Sequence, residues 1–232
     1  MTFHKSNPFL SIIIPALNEE ANLAATLASI PFTPDIEIIV VDGGSRDGTF
    51  ELARGLRVEV LRSLPGRARQ MNTGARLASG EVLLFLHADT RLPDRFFSYV
   101  QGMMAKPSIA AGSFSLAIKD AGFALRVIAC LANLRSRFLQ LPYGDQAIFL
   151  RAQLFWSIGG FPELPIMEDV ALVRQLRRLG RIETLPATIS TSSRRWQREG
   201  LLRTFLVHQI ALIGYFLGVS PGRIARWRQT AN

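Results

Sequence analysis

The sequence is poor in cysteine, lysine and acidic side chains. A single cysteine, Cys130, stands among 232 residues, so no disulfide can form within the chain, and a reducing compartment suits it. Arginine supplies nearly all of the 27 basic residues, against 18 acidic ones, which leaves a formal net charge of +9. Such a balance favours partners that carry phosphate groups, which include nucleotides, nucleic acids and anionic membranes.

The sequence also lacks repeats, low-complexity tracts and a recognisable signal peptide. The apolar run near the N-terminus is short and is interrupted by Pro15 and Asn18, so we predict a first strand there and a cytoplasmic protein. With 48% hydrophobic residues and no evident linker, the chain can bury the core of one full domain.

Short apolar segments alternate with helical patterns along the first half of the chain. These segments do not place polar residues at every second position, which is typical of parallel strands buried on both faces. The pattern predicts an α/β fold with a mostly parallel, Rossmann-like sheet between helices. The predicted strands are 9–14, 36–41, 58–61, 82–86, 109–118, 147–150 and 181–185, and the predicted helices are 19–29, 45–55, 68–78, 93–104, 123–139 and 170–179.

Three carboxylates follow predicted strands of this sheet. Glu19 follows the first strand, Asp42 ends the second and Asp89 follows the fourth. Ligands of open parallel sheets bind beyond the carboxyl ends of the strands, so we expect these side chains at one edge. A single loop carboxylate is usually solvated or caps a helix. Three together repel one another unless a cation or hydrogen-bond donors offset their charge.

Five segments of the sequence together resemble the family-2 glycosyltransferases. SIIIPALNEE, VVDGGSRDGT, RARQMNTG and LLFLHADT resemble the nucleotide-binding half of that family, and GGFPELPIMEDVALVRQLRRLG resembles its acceptor half. The segments occur in the family's order between about Ser11 and Trp196. Within the family, the chain is most similar to a small bacterial subgroup associated with arsenosugar biosynthesis.

The resemblance implies a single catalytic domain of the glycosyltransferase A type in residues 1–200. Its nucleotide-binding half covers about 9–92 and its acceptor half 93–200, and an apolar helix with a basic tail follows at 201–232. The implied activity is an inverting, metal-dependent transfer of a sugar from a nucleotide-diphosphate sugar to an acceptor hydroxyl. The default donor is a UDP-sugar, and the implied metal is Mn²⁺ or Mg²⁺.

The resemblance also assigns roles to individual residues. Asp89 matches the second acidic position of the family's metal motif, whose first position is His87 here; His87 is left as a ribose contact, a spare ligand or a packing residue. Asp169 matches the general base, and Glu168 stands beside it on the acceptor side; an N-cap of the following helix is the alternative for Asp169. The implied nucleotide-binding residues are Pro15, Leu17, Glu19, Asp42, Arg69 and Ala88, with Asn72 and Gly74 allowing a close backbone approach.

Further contacts with donor sugar, diphosphate or acceptor are implied for Asp145, Arg195 and Trp196. Arg195 would bind the diphosphate and Trp196 would stack on a sugar; the alternative is an exposed basic loop with one buried tryptophan.

Two other functions remain open at this point. A sugar nucleotidyltransferase would share the sheet, the carboxylates and the metal, but it usually has a glycine-rich Arg/Lys signature where this chain has Pro15-Ala16-Leu17-Asn18-Glu19. A basic nucleic-acid-binding protein would explain the charge, but no helix-turn-helix, zinc-finger or stacking motif is present, and we expect no nucleic-acid partner.

The segment 201–219 is apolar and precedes the basic tail. It approaches the ~20 apolar residues of a membrane span, but Arg203, His208 and Gln209 interrupt it. We therefore predict a helix that lies in a membrane interface, packs on the catalytic domain or pairs with a second subunit. Peripheral association with the inner face of the membrane would bring the enzyme to a lipid-linked acceptor.

Overall fold

The computed structural model describes residues 7–119, 122–194 and 200–230. The strands there are β1 (Leu10–Ala16), β2 (Ile36–Asp42), β3 (Glu59–Arg62), β4 (Val82–Phe85), β5 (Thr90–Arg91), β6 (Ile109–Ile118), β7 (Phe149–Arg151) and β8 (Arg181–Thr191). The helices are α1 (Glu20–Leu27), α2 (Thr49–Arg54), α3 (Arg67–Leu77), α4 (Phe96–Met104), α5 (Phe123–Leu139), α6 (Ala152–Ser157), α7 (Glu168–Leu176), α8 (Leu201–Phe216) and α9 (Pro221–Thr230), with a 3₁₀ turn at Gly144–Gln146.

All eight strands belong to one mixed sheet in the order β3-β2-β1-β4-β7-β6-β8-β5. β1 pairs in parallel with β2 and β4, and β2 pairs in parallel with β3, as the buried apolar runs predict. β7 lies antiparallel to β4 and β6, and β5 lies antiparallel to β8. The second half of the sheet is therefore mixed. The sequence did not predict this, because an apolar run indicates burial and carries no information about strand direction.

The sheet curls, and a short link between β4 and β5 requires it to do so. β5 lies four positions from β4 in the sheet, which is about 19 Å in a flat sheet. The five Cα–Cα steps from Phe85 to Thr90 reach at most about 18 Å. The chain between these two residues is also bent, since the Thr90 N–H donates to the His87 carbonyl at 3.1 Å. The edge strand β5 must therefore curve back towards the end of β4.

Apolar residues pack against both faces of the sheet. Ile12 and Ile14 face one layer of the core, and Ile13 faces the other layer together with Ala75 of α3. A Cβ on Gly74 would lie 2.6 Å from Ile13 and 3.0 Å from Val41, so this glycine lets α3 sit directly on β1 and β2. Packing alone therefore explains the glycine at this position, and the close approach of a ligand there stays a prediction.

Several predicted elements differ from the structure in extent. α4 begins at Phe96 because Arg95 before it has a left-handed backbone with φ of 61°, so Pro93 lies outside the helix. β8 continues to Thr191 because it pairs with the whole length of β6. The two-residue strand β5 and the short helix α6 were not predicted, since neither carries a periodic pattern.

The C-terminal helices α8 and α9 pack against the start of α7. Ala211 of α8 is buried with Ile166 and with Ile224 of α9. The Arg174 guanidinium of α7 lies 5.7 Å from the ring centre of Tyr215 on α8, within cation–π range. No helix in the described part of the chain has the length and apolarity needed to cross a bilayer. The sixteen residues of α8 rise only about 24 Å.

Candidate active site

A cavity of about 160 Å³ lies where the end of β4, the end of β8 and the start of α7 meet. We call it the central cavity. Its polar lining combines residues from both halves of the chain, and its apolar lining comes from α7, the residues before it and α8. The polar residues are Arg67, His87, Asp89, Tyr143, Asp145, Asp169, Thr191, Ser192 and His208, and the apolar ones are Ile166, Met167, Val170 and Leu212.

Asp89 reaches the central cavity from the link between β4 and β5. Its Oδ1 accepts hydrogen bonds from the hydroxyls of Thr90 at 3.3 Å and Thr191 at 3.4 Å. The Ser192 N–H donates to the Asp89 main-chain carbonyl at 3.2 Å, which ties the link to β8. The described residues donate no hydrogen bond to Oδ2 of Asp89, so this oxygen remains open to a ligand.

The other two strand-end carboxylates lie at the same edge but are already engaged by the protein. Asp42 is buried, and its Oδ2 accepts the N–H groups of Gly44 at 3.0 Å and Ser45 at 3.1 Å. Glu19 accepts a hydrogen bond from Asn22 at 2.7 Å and pairs with Arg194 at 3.2 Å. These donors offset the mutual repulsion of the carboxylates without a metal at either position.

Arg67, which lines the central cavity, forms an ion pair with the buried Glu168. Arg67 Nε lies 2.6 Å from Glu168 Oε1, and the Glu168 side chain is only 2% exposed. Burial raises the pKa of Glu168, and the Arg67 charge opposes that rise while Asp169 adds to it. Burial alone would lower the pKa of Arg67, but Glu168, Asp169 and Asp145 outweigh it and raise the pKa. Arg67 thus balances a group of three carboxylates.

Asp169 is the second residue of α7 and not its N-cap, because the helix begins at Glu168 after Met167. Its Oδ2 accepts the Gly144 N–H at 2.7 Å, and its Oδ1 accepts the Val170 N–H at 2.8 Å. Each carboxylate oxygen has a second lone pair, so both remain able to accept a proton or a further hydrogen bond. The two bonds hold the carboxylate rigidly against the 3₁₀ turn that contains Asp145.

His87 occupies the first position of the expected metal motif and faces a cation. Its Nε2 lies 3.5 Å from Arg67 Nη1, and a Cβ on Gly144 would come within 3.2 Å of the same nitrogen. A guanidinium can donate to this nitrogen only when the nitrogen carries no proton. The contact gives His87 a polar role in the central cavity.

The structure places the remaining expected site residues as follows. Arg69 pairs with Glu163 at 3.2 Å on the surface, whereas Arg67 lines the central cavity. Ala88 is buried, and its carbonyl accepts the Thr26 hydroxyl at 2.7 Å. Pro15 and Leu17 lie at the end of β1 beside the Asp42 turn, and Arg195 and Trp196 lie outside the described residues.

The side chain of Asn72 is engaged within the protein. It is buried, and it bonds to both the carbonyl and the N–H of Phe161, at 2.8 and 3.0 Å. This pair of bonds joins α3 to the segment before α7.

Thr191, Tyr143, His208 and Leu212 line the central cavity, but no role there was predicted for them from the sequence. Thr191 belongs to the part of β8 beyond the predicted strand, and Tyr143 belongs to the connection before β7. His208 and Leu212 come from α8 and reach the central cavity only because that helix docks on α7. The interruption of an apolar helix by His208 was the one available signal.

Comparison with known proteins places this geometry in a family. A family model described as Glycosyl transferase family 2 matches residues 11–156. The chain belongs to glycosyltransferase family 2. This family membership agrees with the sequence prediction.

Curated relatives agree with this assignment over part of their length. A PGL/p-HBAD biosynthesis glycosyltransferase of Mycobacterium bovis is 44% identical over 94 residues, which cover 37% of this chain and 37% of the relative. Glycosyltransferase AglE of Haloferax volcanii is 37% identical over 94 residues, 35% of this chain and 31% of the relative. The matched segments thus span about a third of the length of these relatives.

Solved structures confirm the predicted fold of the glycosyltransferase A type. S. aureus TarS 1-349 in complex with UDP superposes with a TM-score of 0.64 at 19% identity, covering 79% of this chain and 60% of that chain. Mannosyltransferase PcManGT from Pyrobaculum calidifontis, in complex with GDP-Man and Mn²⁺, gives 0.64 at 21% identity, covering 88% and 65%.

The buried pair Arg67–Glu168 gives a stability prediction. Arg67→Ala leaves the Glu168 charge uncompensated and should lower the free energy of unfolding at neutral pH by about 2 kcal/mol, less than for a fully enclosed pair because Arg67 is 38% exposed. Chemical denaturation measures this loss in the free energy of unfolding. Arg69→Ala, which removes the exposed partner of Glu163, is the matched control and should cost under about 1 kcal/mol.

The pH dependence of this deficit has a definite sign. Because burial raises the pKa of Glu168, its ionisation costs stability as the pH rises through that pKa. The cost is larger without Arg67, so the deficit of Arg67→Ala should shrink on acidification. It should also largely disappear in Arg67→Ala/Glu168→Gln. A deficit that is independent of pH and survives in the double variant contradicts the buried-pair explanation.

Proposed function

We propose that this glycosyltransferase moves a sugar from a nucleotide-diphosphate sugar to an acceptor hydroxyl with inversion, aided by a divalent metal. The observation that carries the proposal is the placement of Asp89 and Asp169 on opposite elements of one cavity, with Asp42 and Glu19 at the adjoining sheet edge. The first half of the chain would hold the nucleotide, and residues 93–200 would hold the acceptor. The proposal also includes membership of the arsenosugar-associated subgroup that the sequence resembles.

The residues present fit a metal held mainly by the substrate. The described residues contain no group of three or more His, Cys, Asp or Glu side chains that could hold an ion alone. Asp89 offers one open carboxylate oxygen, and Mn²⁺ or Mg²⁺ can take further oxygen ligands from the diphosphate and water. A metal bound there would neutralise charge on the leaving diphosphate.

Asp169 is the group suited to remove the acceptor proton. An inverting transfer needs one base on the side of the sugar opposite the diphosphate, and it needs no second carboxylate of the glycosidase kind. The Gly144 and Val170 N–H groups fix the Asp169 carboxylate while leaving each oxygen able to accept the proton. Arg67 supports the site by balancing the neighbouring Glu168.

The donor is proposed to be a UDP-sugar. The TarS structures contain UDP or UDP-GlcNAc, whereas the PcManGT structure contains GDP-Man, so the fold accepts both uridine and guanosine nucleotides. In this chain, Asp42, Pro15 and Leu17 would line the nucleoside and Arg69 would approach the pyrophosphate after leaving Glu163.

Asp89 is expected to determine the metal response. Asp89→Asn keeps an oxygen for the Thr90 and Thr191 hydroxyls but removes the charge. Mn²⁺ should raise the affinity of the wild-type enzyme for UDP, measured by titration calorimetry, and this gain should vanish in Asp89→Asn. Asp94→Asn, at an exposed carboxylate nearby, is the control and should behave as wild type. An undiminished Mn²⁺ effect in Asp89→Asn would show that the metal lies elsewhere.

Asp169 is expected to affect the rate far more than donor binding. General-base catalysis contributes typically about 10²–10⁴-fold, so Asp169→Asn should lower kcat by that order with little change in affinity for UDP and Mn²⁺. Single-turnover kinetics with a UDP-sugar measure the rate, and calorimetry measures the affinity for UDP and Mn²⁺. Parallel losses of donor affinity and rate would instead assign Asp169 a structural role.

The helix α8 links the central cavity to an apolar surface. His208 and Leu212 face the cavity, whereas the opposite side of the helix carries Leu206, Ile210, Ile213 and Leu217, which are 48–79% exposed. At 100° per residue, these four form one stripe.

Helix α5 presents a second exposed apolar stripe beside α8. The stripe comprises Phe123, Val127, Leu131, Leu134 and Phe138. Leu201 of α8 packs against the cluster that contains Leu125 and Ala129 of α5, so the two helices adjoin. An apolar surface with basic residues around it suits an anionic membrane. The exposed arginines near it are Arg126, Arg203, Arg223 and Arg226.

We therefore include peripheral contact with an anionic, inner-face membrane and a lipid-linked acceptor in the proposal. The wild-type protein should float with vesicles containing phosphatidylserine at low salt. Ile210→Glu/Leu217→Glu should abolish flotation, because both positions lie on the exposed stripe. Leu64→Glu, at a residue 67% exposed outside this surface, should float as wild type. A wild-type protein that stays unbound and sediments as a dimer would assign the stripe to subunit pairing.

A further inference from the structure

The hydroxyl of Tyr143 is a buried polar group that the protein does not satisfy. Tyr143 lines the central cavity, and its Oη is shielded from solvent. Within residues 7–119, 122–194 and 200–230, that oxygen makes no hydrogen bond. Most buried polar side-chain atoms have a partner, so an exception in a cavity that binds substrate calls for an explanation.

The ring of Tyr143 stacks on an arginine that the protein itself holds in place. The Arg135 guanidinium lies 3.3 Å from the ring centre. Arg135 is itself fixed by bonds to the Leu141 carbonyl at 3.0 Å and the Gln146 side chain at 3.2 Å. The turn that follows uses the Tyr143 main-chain carbonyl, which accepts the Gln146 N–H at 2.9 Å. The hydroxyl, at the far end of the ring, takes no part in this turn.

The hydroxyl is a donor at every physiological pH. Burial raises the pKa of Tyr143 to about 12; Arg135 opposes the rise, and Asp169 and Asp145 add to it. The phenol therefore keeps its proton near neutrality. The same two carboxylates are hydrogen-bond acceptors that line the central cavity with it. A phenol donor beside a carboxylate acceptor matches an alcohol group, which accepts one hydrogen bond and donates another.

The proposed reaction places the transferred sugar next to this pair. The sugar must lie between the diphosphate, near Asp89, and the base, Asp169, because the acceptor attacks from the side opposite the leaving group. Asp169 would be occupied by the acceptor hydroxyl. Tyr143 and Asp145 are then left to face the hydroxyls of the sugar itself.

We propose that Tyr143 Oη donates a hydrogen bond to a hydroxyl of the transferred sugar, and that Asp145 accepts from the same hydroxyl. This inference rests on the proposed function and deepens it, because it assigns the recognition of the sugar to the loop before β7. A site built to bond a hydroxyl discriminates against sugars that lack it, since the protein groups are then left unpaired.

The test uses Tyr143→Phe, which removes only the oxygen. Affinities for UDP and for UDP-glucose, UDP-galactose and UDP-GlcNAc are measured by calorimetry with Mn²⁺, with GDP and GDP-mannose as a second set. Tyr143→Phe should bind the free nucleotides as the wild type does and should bind the preferred nucleotide sugar about tenfold more weakly. Tyr99→Phe, at an exposed tyrosine of α4, should change neither.

Thermal unfolding without ligand gives an independent readout. The midpoint of Tyr143→Phe should equal or exceed that of the wild type, because no bond within the protein is lost. A lower midpoint would show that the hydroxyl has a partner in the protein and would overturn the proposal.

The other outcomes separate this inference from the proposed function. The role of Tyr143 is overturned if the wild type and Tyr143→Phe bind the nucleotide sugars equally well. It is also overturned if the wild type binds no nucleotide sugar more tightly than the free nucleotide. Neither result contradicts the proposed function. A wild type that binds no nucleotide at all contradicts the proposed function as well.

Discussion

The short link between β4 and β5 is the constraint on which the site depends. Residues 86–89 must connect strands that lie four positions apart in the sheet order, and they can do so only if the sheet curls. The curl brings the end of β8 against Asp89, whose side chain and carbonyl bond to Thr191 and Ser192. A carboxylate that a flat sheet would leave at an open edge is thereby enclosed in a cavity shared by both halves of the chain.

Charge balance is the second constraint, and it is local. The protein carries a net charge of +9, yet carboxylates outnumber the cations that line the central cavity. Arg67 offsets part of this excess through its 2.6 Å contact with Glu168. The remaining negative potential suits a divalent cation, whereas the basic surface outside suits phosphate or anionic lipid. The overall charge of the sequence therefore says little about the chemistry at its centre.

The sequence predicted the features that depend on local pattern, and it missed those that depend on docking. Buried apolar runs such as 82–86 predicted the strands. The ends of those runs predicted that Asp42 and Asp89 lie at one edge of the sheet. Direction and curvature were not predictable, because they arise from the pairing of β7 and β5 with distant strands. Which of Arg67 and Arg69 lines the central cavity depends on the helical phase of α3, and a motif of alternating arginines does not reveal that phase.

The C-terminal helix shows where specificity can arise within a shared fold. The family model ends at residue 156, whereas α7 and α8 supply the apolar wall of the central cavity. The matched segment thus contains Asp89 and the sheet edge at which we propose that the nucleotide-sugar donor binds. Asp169, Leu212 and His208 lie beyond it, on the side proposed for the acceptor. A change of acceptor could then evolve by altering how α8 docks on α7 while the donor edge stays constant.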